Sequence, residues 1–289
     1  MKLGLIGLGV MGWRIAANLK EAGFIHAVYN RTRSKAEEFE ARFGVKASSD
    51  LEDLVKQCDL IVTVLSDDSA AREVYDRLLA GAGPEKTFLD MSTISPTTSI
   101  EIANRLSQKG ASMLDVPIIG SAGMLERREA VLLVGGRESD FKRVIPVLEA
   151  ITKEVIHVGA NGSGLNLKLV QNLALASYIV TLSEAVHFGL ASGLKPELLE
   201  RLFLSLSSIR SPNSAIKIPK ILKADYSTQF SLKHMIKDLG LIESQAQRTG
   251  AAIPIGSISL QLYRLAAKQG FKDEDYVAVA ELFRAKEKK

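Results

Sequence analysis

The stretch Gly7-Leu8-Gly9-Val10-Met11-Gly12 supplies Gly-x-Gly-x-x-Gly between an apolar run, Leu3 to Leu8, and an amphipathic one, Met11 to Ala22. Each glycine has its own task. The first permits a tight strand-to-helix turn, the second lets a pyrophosphate approach the backbone, and the third lets the helix pack against the strand. The helix behind them presents unpaired N–H groups and the positive end of its dipole. A tight turn alone would explain a lone match. With a strand before, a helix after and a second strand ending at Asn30, the pattern predicts a dinucleotide site that also takes in Leu8, Val10 and Met11.

Outward from this loop, short apolar runs alternate with helical spacing. His26 to Asn30, Leu60 to Leu65, Thr87 to Met91, Ser112 to Val116 and Val131 to Val134 read as strands. Met11 to Ala22, Ser34 to Phe43, Ser69 to Leu79 and Pro96 to Lys109 read as helices. Strands apolar on both faces and joined by helices imply a mostly parallel, doubly covered sheet. After the Gly-rich joint Gly159-Ala-Asn-Gly-Ser-Gly164 the β-like runs stop. Leu165 to Leu194, Pro196 to Leu206, Phe230 to Thr249, Pro254 to Gln269 and Asp273 to Lys286 all read as helices. The expectation is an α/β domain, residues 1–161, and an all-helical domain, residues 162–289, joined by a helix of about 30 residues and about 45 Å.

The 289 residues, 46% apolar and 24% charged, suit two domains with real cores and exclude collagen-like, disordered and disulfide-scaffold classes. A lone Cys58 forms no intrachain bridge and reads as packing. The net charge of +4 comes from 37 basic and 33 acidic residues mixed along the chain, so no nucleic acid is expected as a partner. The one tight basic cluster, Lys286-Glu287-Lys288-Lys289, reads as a solvated tail. No signal peptide fits before Leu3 and no apolar run approaches the roughly 20 residues that span a bilayer. The expectation is a cytoplasmic protein without a membrane partner.

The end of the second strand chooses the cofactor. NAD sites place an Asp or Glu there; this chain has Asn30-Arg31-Thr32-Arg33. Without a carboxylate to repel a 2′-phosphate, and with Arg31, Thr32 and Arg33 able to bind one, NADP is favoured over NAD. The competing reading is a solvated turn before a helix. Further on, Lys168 and Asn172 are four apart and share a helix face. A Lys at the start of an apolar helix is costly to bury unless it is paired or gives up its proton. It is then either a general acid or base beside a substrate, or a side chain that snorkels out, with Asn172 a satisfied interhelical polar group.

With these motifs in view, the whole chain resembles the β-hydroxyacid dehydrogenases, which include 3-hydroxyisobutyrate dehydrogenase and the glyoxylate/succinic semialdehyde reductases. The resemblance rests on Gly7 to Gly12, Asp90-Met-Ser-Thr-Ile-Ser-Pro96, Asp115-Val-Pro-Ile-Ile-Gly-Ser121, Gly162-x-Gly164-x-x-x-Lys168-x-x-x-Asn172, and Phe230-x-Leu-x-x-x-x-Lys237-Asp238-Leu239. It implies a Rossmann-type domain followed by an all-α domain, an active site in the cleft between them, and a homodimer or homotetramer. Lys168 matches the family's catalytic lysine and Asn172 a residue that holds the substrate oxygen. Thr93 and Lys237 match cofactor contacts, and Leu65, Ser66 and Phe230 lie in segments that line the cofactor. The implied substrate is a short 3-hydroxy acid such as 3-hydroxyisobutyrate or L-serine, or a semialdehyde or glyoxylate in reverse.

One departure bears on the substrate. Ile119 stands where the family usually has a serine that helps bind the substrate carboxylate, leaving backbone N–H groups around Gly120 and Ser121 to receive an anion. Arg127 and Arg128 occupy a segment usually built of small residues. Ser208 and Arg210 are further candidates that surface-loop composition explains as well. Thr93 reads alternatively as a capping hydroxyl before Pro96, and Lys237 as a cation paired with Glu243 or Asp238. Asp67-Asp68 reads as a helix N-cap. His26, His157, His187 and His234 lack ligand spacing, so no metal is expected. The rival functions are an NADP-binding sensor or assembly protein without catalysis, and an imine-reductase-like enzyme. Retention of Lys168 counts against both.

Overall fold

The computed structural model describes residues 2–284. The C-terminal cluster Lys286 to Lys289 lies outside them. Two compact units divide the chain, Met1–Lys168 and Leu169–Lys289.

The first unit runs β1 (Leu3–Ile6), α1 (Val10–Glu21), β2 (Ile25–Tyr29), α2 (Arg33–Phe43), β3 (Lys46–Ala47), α3 (Leu51–Gln57), β4 (Leu60–Thr63), α4 (Asp68–Leu78), β5 (Thr87–Asp90), α5 (Pro96–Ser107) and β6 (Ser112–Asp115). There follow β7 (Ile118–Ile119), α6 (Ala122–Glu126), β8 (Val131–Gly135), α7 (Glu138–Ile151), β9 (Glu154–Gly159) and the start of α8 (Ser163–Ala191). The sheet order is β3-β2-β1-β4-β5-β6-β8-β7, with β9 also on β8. From β3 to β6 every pairing is parallel. β8 lies antiparallel to β6 and β7, and β9 parallel to β8.

Every residue of β1, β4, β5 and β6 is buried, as a sheet covered on both faces requires. Alternation then sorts the side chains. Leu3, Leu5, Leu60 and Val62 join one core with Ile15, Leu19, Phe39 and Leu148, whereas Ile6 and Ile61 join the other with Leu54, Tyr75 and Ile102. The chain leaves β1 and β4 in opposite directions, which puts the topological switch point at the carboxyl ends of these two strands. The sequence reading missed β3, β7 and β9. Two of these are two residues long, and β9 exposes Glu154 and Ile156 by turns, so none makes the continuous apolar run that marked the others.

The second unit holds the rest of α8, then α9 (Pro196–Arg201), α10 (Pro212–Lys223), α11 (Leu232–Thr249) and α12 (Pro254–Lys268) around Ile179, Val186, Ile218, Met235, Leu239 and Tyr263. Three expectations need correction. Residues 202–206, read as the end of an α-helix, form a wider π turn. The helix expected from Phe230 begins at Leu232, because Ser231 bridges to Asp275. The helix expected over 273–286 is instead a 3-10 segment, Tyr276–Phe283. Its leading backbone bonds go elsewhere: the N–H groups of Asp275 and Tyr276 donate to the carbonyls of Tyr226 and Phe230. Its residues 276–280 are all buried, so no solvent face exists to make the run amphipathic. The Asp275 carboxylate, itself buried, takes the ammonium of Lys217 at 2.7 Å and the N–H of Gln229 at 3.0 Å. Burial pushes the lysine's proton affinity down and Asp275 pulls it back up.

The expectation about apolar runs also needs correction. α8 is long and apolar enough to cross a membrane by length and composition. Uncharged polar residues such as Asn166, Asn172, Ser177 and Ser183 interrupt its apolar runs, so a count of consecutive apolar residues passes over it. Its inward residues belong to protein cores: Leu165 in the first unit, and Leu169, Ala176, Ile179, Leu182 and Val186 in the second.

Candidate active site

The glycine loop shows which glycines the fold itself requires. Gly7 has φ +102°, and a Cβ there would stand 2.2 Å from the carbonyl oxygen of Val64. A Cβ on Gly12 would stand 1.9 Å from the carbonyl oxygen of Gly7, so α1 approaches the strand more closely than any side chain allows. Gly9 is different: a Cβ on it would meet nothing within 4 Å. It opens α1 from the cap position and offers no side chain there, while Val10 beside it is 76% exposed. The space over Gly9 is what a pyrophosphate needs to reach backbone N–H groups, so the loop fits a dinucleotide.

Asn30, expected to touch the cofactor, also holds this loop. Its Oδ1 accepts the N–H of Leu8 at 2.8 Å and its Nδ2 donates to the carbonyl of Thr32 at 2.9 Å. Arg31 and Thr32 are exposed just beyond the end of β2, and Arg33 pairs with Glu37 at 2.7 Å on α2.

The ends of β4 and β5 are tied by a buried carboxylate that the sequence reading quoted only as part of a motif. The hydroxyls of Thr63 and Ser92 donate to Oδ1 of Asp90 at 2.8 and 2.6 Å. Ser92 Oγ in turn accepts the N–H of Leu65 at 2.8 Å. Asp90 therefore sets the path of Leu65 and Ser66 and of the strand end leading to half-buried Thr93. Its Oδ2 has no hydrogen-bond partner. Burial pushes its carboxyl up to about 6, against the opposing pull of these hydrogen bonds. Of two neighbouring acids, Asp67 caps α4 and Asp68 ties α4 to the start of α5. Asp67 accepts the N–H of Ala70 at 2.9 Å, and Asp68 accepts that of Ser95 at 2.7 Å. Ser95, and not Thr93, caps α5.

On α8, Lys168 is half-buried and Asn172, one turn later, is buried. The Asn172 amide donates from Nδ2 to Oδ2 of Asp238 at 2.6 Å, and Oδ1 of Asp238 lies 3.2 Å from Nζ of Lys237. Asn172, Lys237 and Asp238 thus form one cluster in the second unit. Asp238, itself buried, was read from sequence as a possible partner of Lys237, and its bond to Asn172 was not. Glu243 pairs instead with Arg264 at 3.9 Å. Phe230 is held from both sides, its ring stacked on His234 and edge-on to Tyr276.

Ile119 is half-buried at the end of β7, and Gly120, at φ +141°, is exposed. The Ser121 hydroxyl caps α6, accepting the N–H of Met124 at 3.4 Å. Ser208 and Arg210 are exposed on the loop before α10. Cys58 is fully buried, and that burial pushes its thiol up to about 11. Among the described residues, no group of three or more His, Cys, Asp or Glu could hold a metal ion.

Residues 2–159 match a family model described as the NAD binding domain of 6-phosphogluconate dehydrogenase. Residues 162–283 match one described as NAD-binding of NADP-dependent 3-hydroxyisobutyrate dehydrogenase. The chain is 31% identical to glyoxylate/succinic semialdehyde reductase 2, chloroplastic, of Arabidopsis thaliana, over 99% of this chain and 80% of that one. It is 31% identical to an NAD-dependent L-serine dehydrogenase of Pseudomonas aeruginosa, over 98% and 97%. Among solved structures it is similar to a Mycobacterium tuberculosis 3-hydroxyisobutyrate dehydrogenase with L-serine. The TM-score is 0.91 at 29% identity, covering 98% of this chain and 99% of that one.

Gly9→Ala will keep the thermal midpoint of the parent within about 2 °C while weakening cofactor binding at least tenfold, whereas Gly12→Ala will lower stability by several kcal/mol. Differential scanning fluorimetry and a cofactor titration of each variant separate the two. Asp90 binds its proton more tightly in the folded chain than the ordinary value of 3.8 allows. The folded state thus holds the extra proton between about 4 and about 6, so stability falls as pH rises through that window, by up to about 1.4 kcal/mol per unit. Asp90→Asn, whose Oδ1 still accepts from Ser92 and Thr63, will flatten that slope in urea melts at pH 4.5 to 7. An unchanged slope would remove Asp90 as its source.

Proposed function

The chain belongs to the β-hydroxyacid dehydrogenase family, oxidoreductases that use a nicotinamide cofactor, and from that premise we propose the following reaction. The protein oxidises the β-hydroxyl of a short 3-hydroxy acid with NADP, 3-hydroxyisobutyrate or L-serine being the leading substrates, or reduces a semialdehyde or glyoxylate in the reverse direction. The observation that supports this reading is the placement of Lys168 and Asn172 one turn apart on α8, with the Asn172 amide already oriented by the buried Asp238.

A nicotinamide held at the Gly7 to Gly12 loop would supply the hydride-accepting chemistry for the carbinol carbon. The chain's own residues do the rest. Nζ of Lys168 takes the hydroxyl proton as the C–H bond breaks and returns it in reduction. Asn172 holds the same oxygen. With Nδ2 fixed on Asp238, the Asn172 amide is spared the entropy of orienting itself for each substrate. The Gly9 backbone and the α1 N-terminus hold the pyrophosphate, with Leu8, Val10, Met11, Leu65, Ser66, Thr93, Phe230 and Lys237 as further contacts. Arg31 and Thr32, exposed where no carboxylate stands, support binding of a 2′-phosphate. Ile119 offers no hydroxyl to the substrate carboxylate, which leaves the backbone at Gly120 and Ser121 to meet it.

Absorbance at 340 nm, followed with NADP and then NAD against 3-hydroxyisobutyrate, L-serine, 3-hydroxypropionate and 4-hydroxybutyrate, tests the reading. Turnover is expected with NADP and at least one of the four. Lys168→Ala is expected to lower kcat by 10²- to 10⁴-fold with NADPH affinity kept. Near-full turnover in that variant would end the proton-relay role. Tight NADPH binding without turnover on any acid would favour a sensor.

The reading includes a homodimer or homotetramer. α8 leaves Val170 63% and Phe188 75% exposed, large apolar groups of the kind a second copy covers. Light scattering should give at least twice the 31.4 kDa of one chain; a monomeric mass would overturn it.

A further inference from the structure

α8 begins without a capping side chain of its own. Gly162 occupies its cap position, with φ +89° and its carbonyl accepting the N–H of Asn166 at 2.9 Å, and glycine has no oxygen to offer. The cap comes instead from β6. Oδ1 of Asp115 accepts the N–H of Gly162 at 2.6 Å, and Oδ2 accepts the N–H of Leu165 at 2.9 Å. In an ordinary capping box these two donors are met by two different side chains of the helix itself. Here one carboxylate, fully buried at the end of a central strand, meets both. Two bonds from one rigid group fix the axial position of the first turn and its rotation about the helix axis.

The packing leaves no slack around this attachment. A Cβ on Gly164 would stand 2.6 Å from the carbonyl oxygen of Leu133 and 2.8 Å from Oδ2 of Asp115, and one on Gly135 would stand 2.4 Å from Oδ1. The first turn of α8 therefore lies directly against β6 and β8. Burial raises the proton affinity of Asp115, and the N–H groups of Gly162, Leu165 and Gly164 lower it. The carboxylate also sits at the positive end of the helix dipole.

Lys168 is three residues beyond Leu165, on the next turn of the same helix. We propose that Asp115 is the positioning residue for Lys168: by capping α8 from the sheet, it sets where the ammonium-bearing side chain starts and in which direction it leaves the helix. This rests on the reading of Lys168 as the proton-relay group. A displacement of the order of 1 Å at a reacting group can cost 10²-fold in rate, so a capping residue with no contact to substrate can control kcat. An amide at 115 accepts one N–H and turns its own NH₂ toward the other, which breaks the two-point attachment while keeping the volume.

The test is a double-mutant cycle with an external amine. Asp115→Asn is expected to lower kcat about 30-fold while KM and the NADPH dissociation constant stay within about twofold. Lys168→Ala is then assayed with methylamine, whose placement does not depend on α8. Adding Asp115→Asn to that background should change the amine-rescued rate by less than about twofold. A similar loss in both backgrounds would make Asp115 a general support of the fold and overturn the proposal. If Lys168→Ala alone keeps full turnover, the proton-relay reading fails first and this one falls with it. Asp115→Ser, which keeps one acceptor for the Leu165 N–H, is the second variant should the asparagine form not fold; it should lose less activity than Asp115→Asn. Failure of both to fold would also overturn the proposal.

Discussion

The contact between Gly12 and the carbonyl of Gly7 sets the first unit. A helix that comes so near its strand that a methyl would lie 1.9 Å from a backbone oxygen can be built only with glycine at that point. The same approach directs the N-terminus of α1 over the carboxyl end of β1, beside the switch point with β4. The parallel order from β3 to β6 grows outward from that pair, and the open space above Gly9 is a by-product of how close α1 lies. Room for an anion at this loop thus follows from packing before any ligand-specific side chain is considered.

Buried carboxylates at strand ends do the second part of the work. A carboxylate out of water is costly unless hydrogen bonds replace its hydration. Asp115 is satisfied by backbone N–H groups of α8, and Asp90 by hydroxyls on one oxygen only. Burial raises both carboxyls, Asp90 to about 6, and of the two only Asp90 keeps an oxygen without a hydrogen-bond partner. In the second unit Asp275 meets the same cost with a buried lysine and the backbone at Gln229 and Phe230. In each case the acid is bonded to a segment that carries a candidate functional residue: Asp115 to the helix of Lys168, Asp90 through Ser92 to Leu65, and Asp275 to Phe230.

Much of this was legible in the residues. The strands that are buried on both faces announced themselves as apolar runs, and the Gly-x-Gly-x-x-Gly spacing located the turn. The i, i+4 spacing of Lys168 and Asn172 placed both on one helix face. Short or one-sided elements escaped, since β3 and β7 are too brief to show a period and β9 is only partly buried, and the 3-10 segment was misread as an α-helix because its residues 276–280 are apolar and all buried. The partners of the polar residues escaped as well. Nothing in the local sequence links Asp115 to Gly162 or Asn172 to Asp238, because 47 and 66 residues separate them.

The sequence by itself determined the fully buried strands, the longer amphipathic helices, the glycine loop and the residues with chemistry to offer, since periodicity and glycine placement are local properties of the chain. Tertiary structure alone decided which glycine leaves room for a ligand and which only permits packing. It also decided that Asn30 supports the loop, that Ser95 and not Thr93 caps α5, and that a strand-end aspartate caps the helix bearing Lys168. The physical reason is the same throughout: a hydrogen-bond donor or a Cβ is satisfied or excluded by whatever atom the fold brings within a few ångströms, and that neighbour is usually far away along the chain.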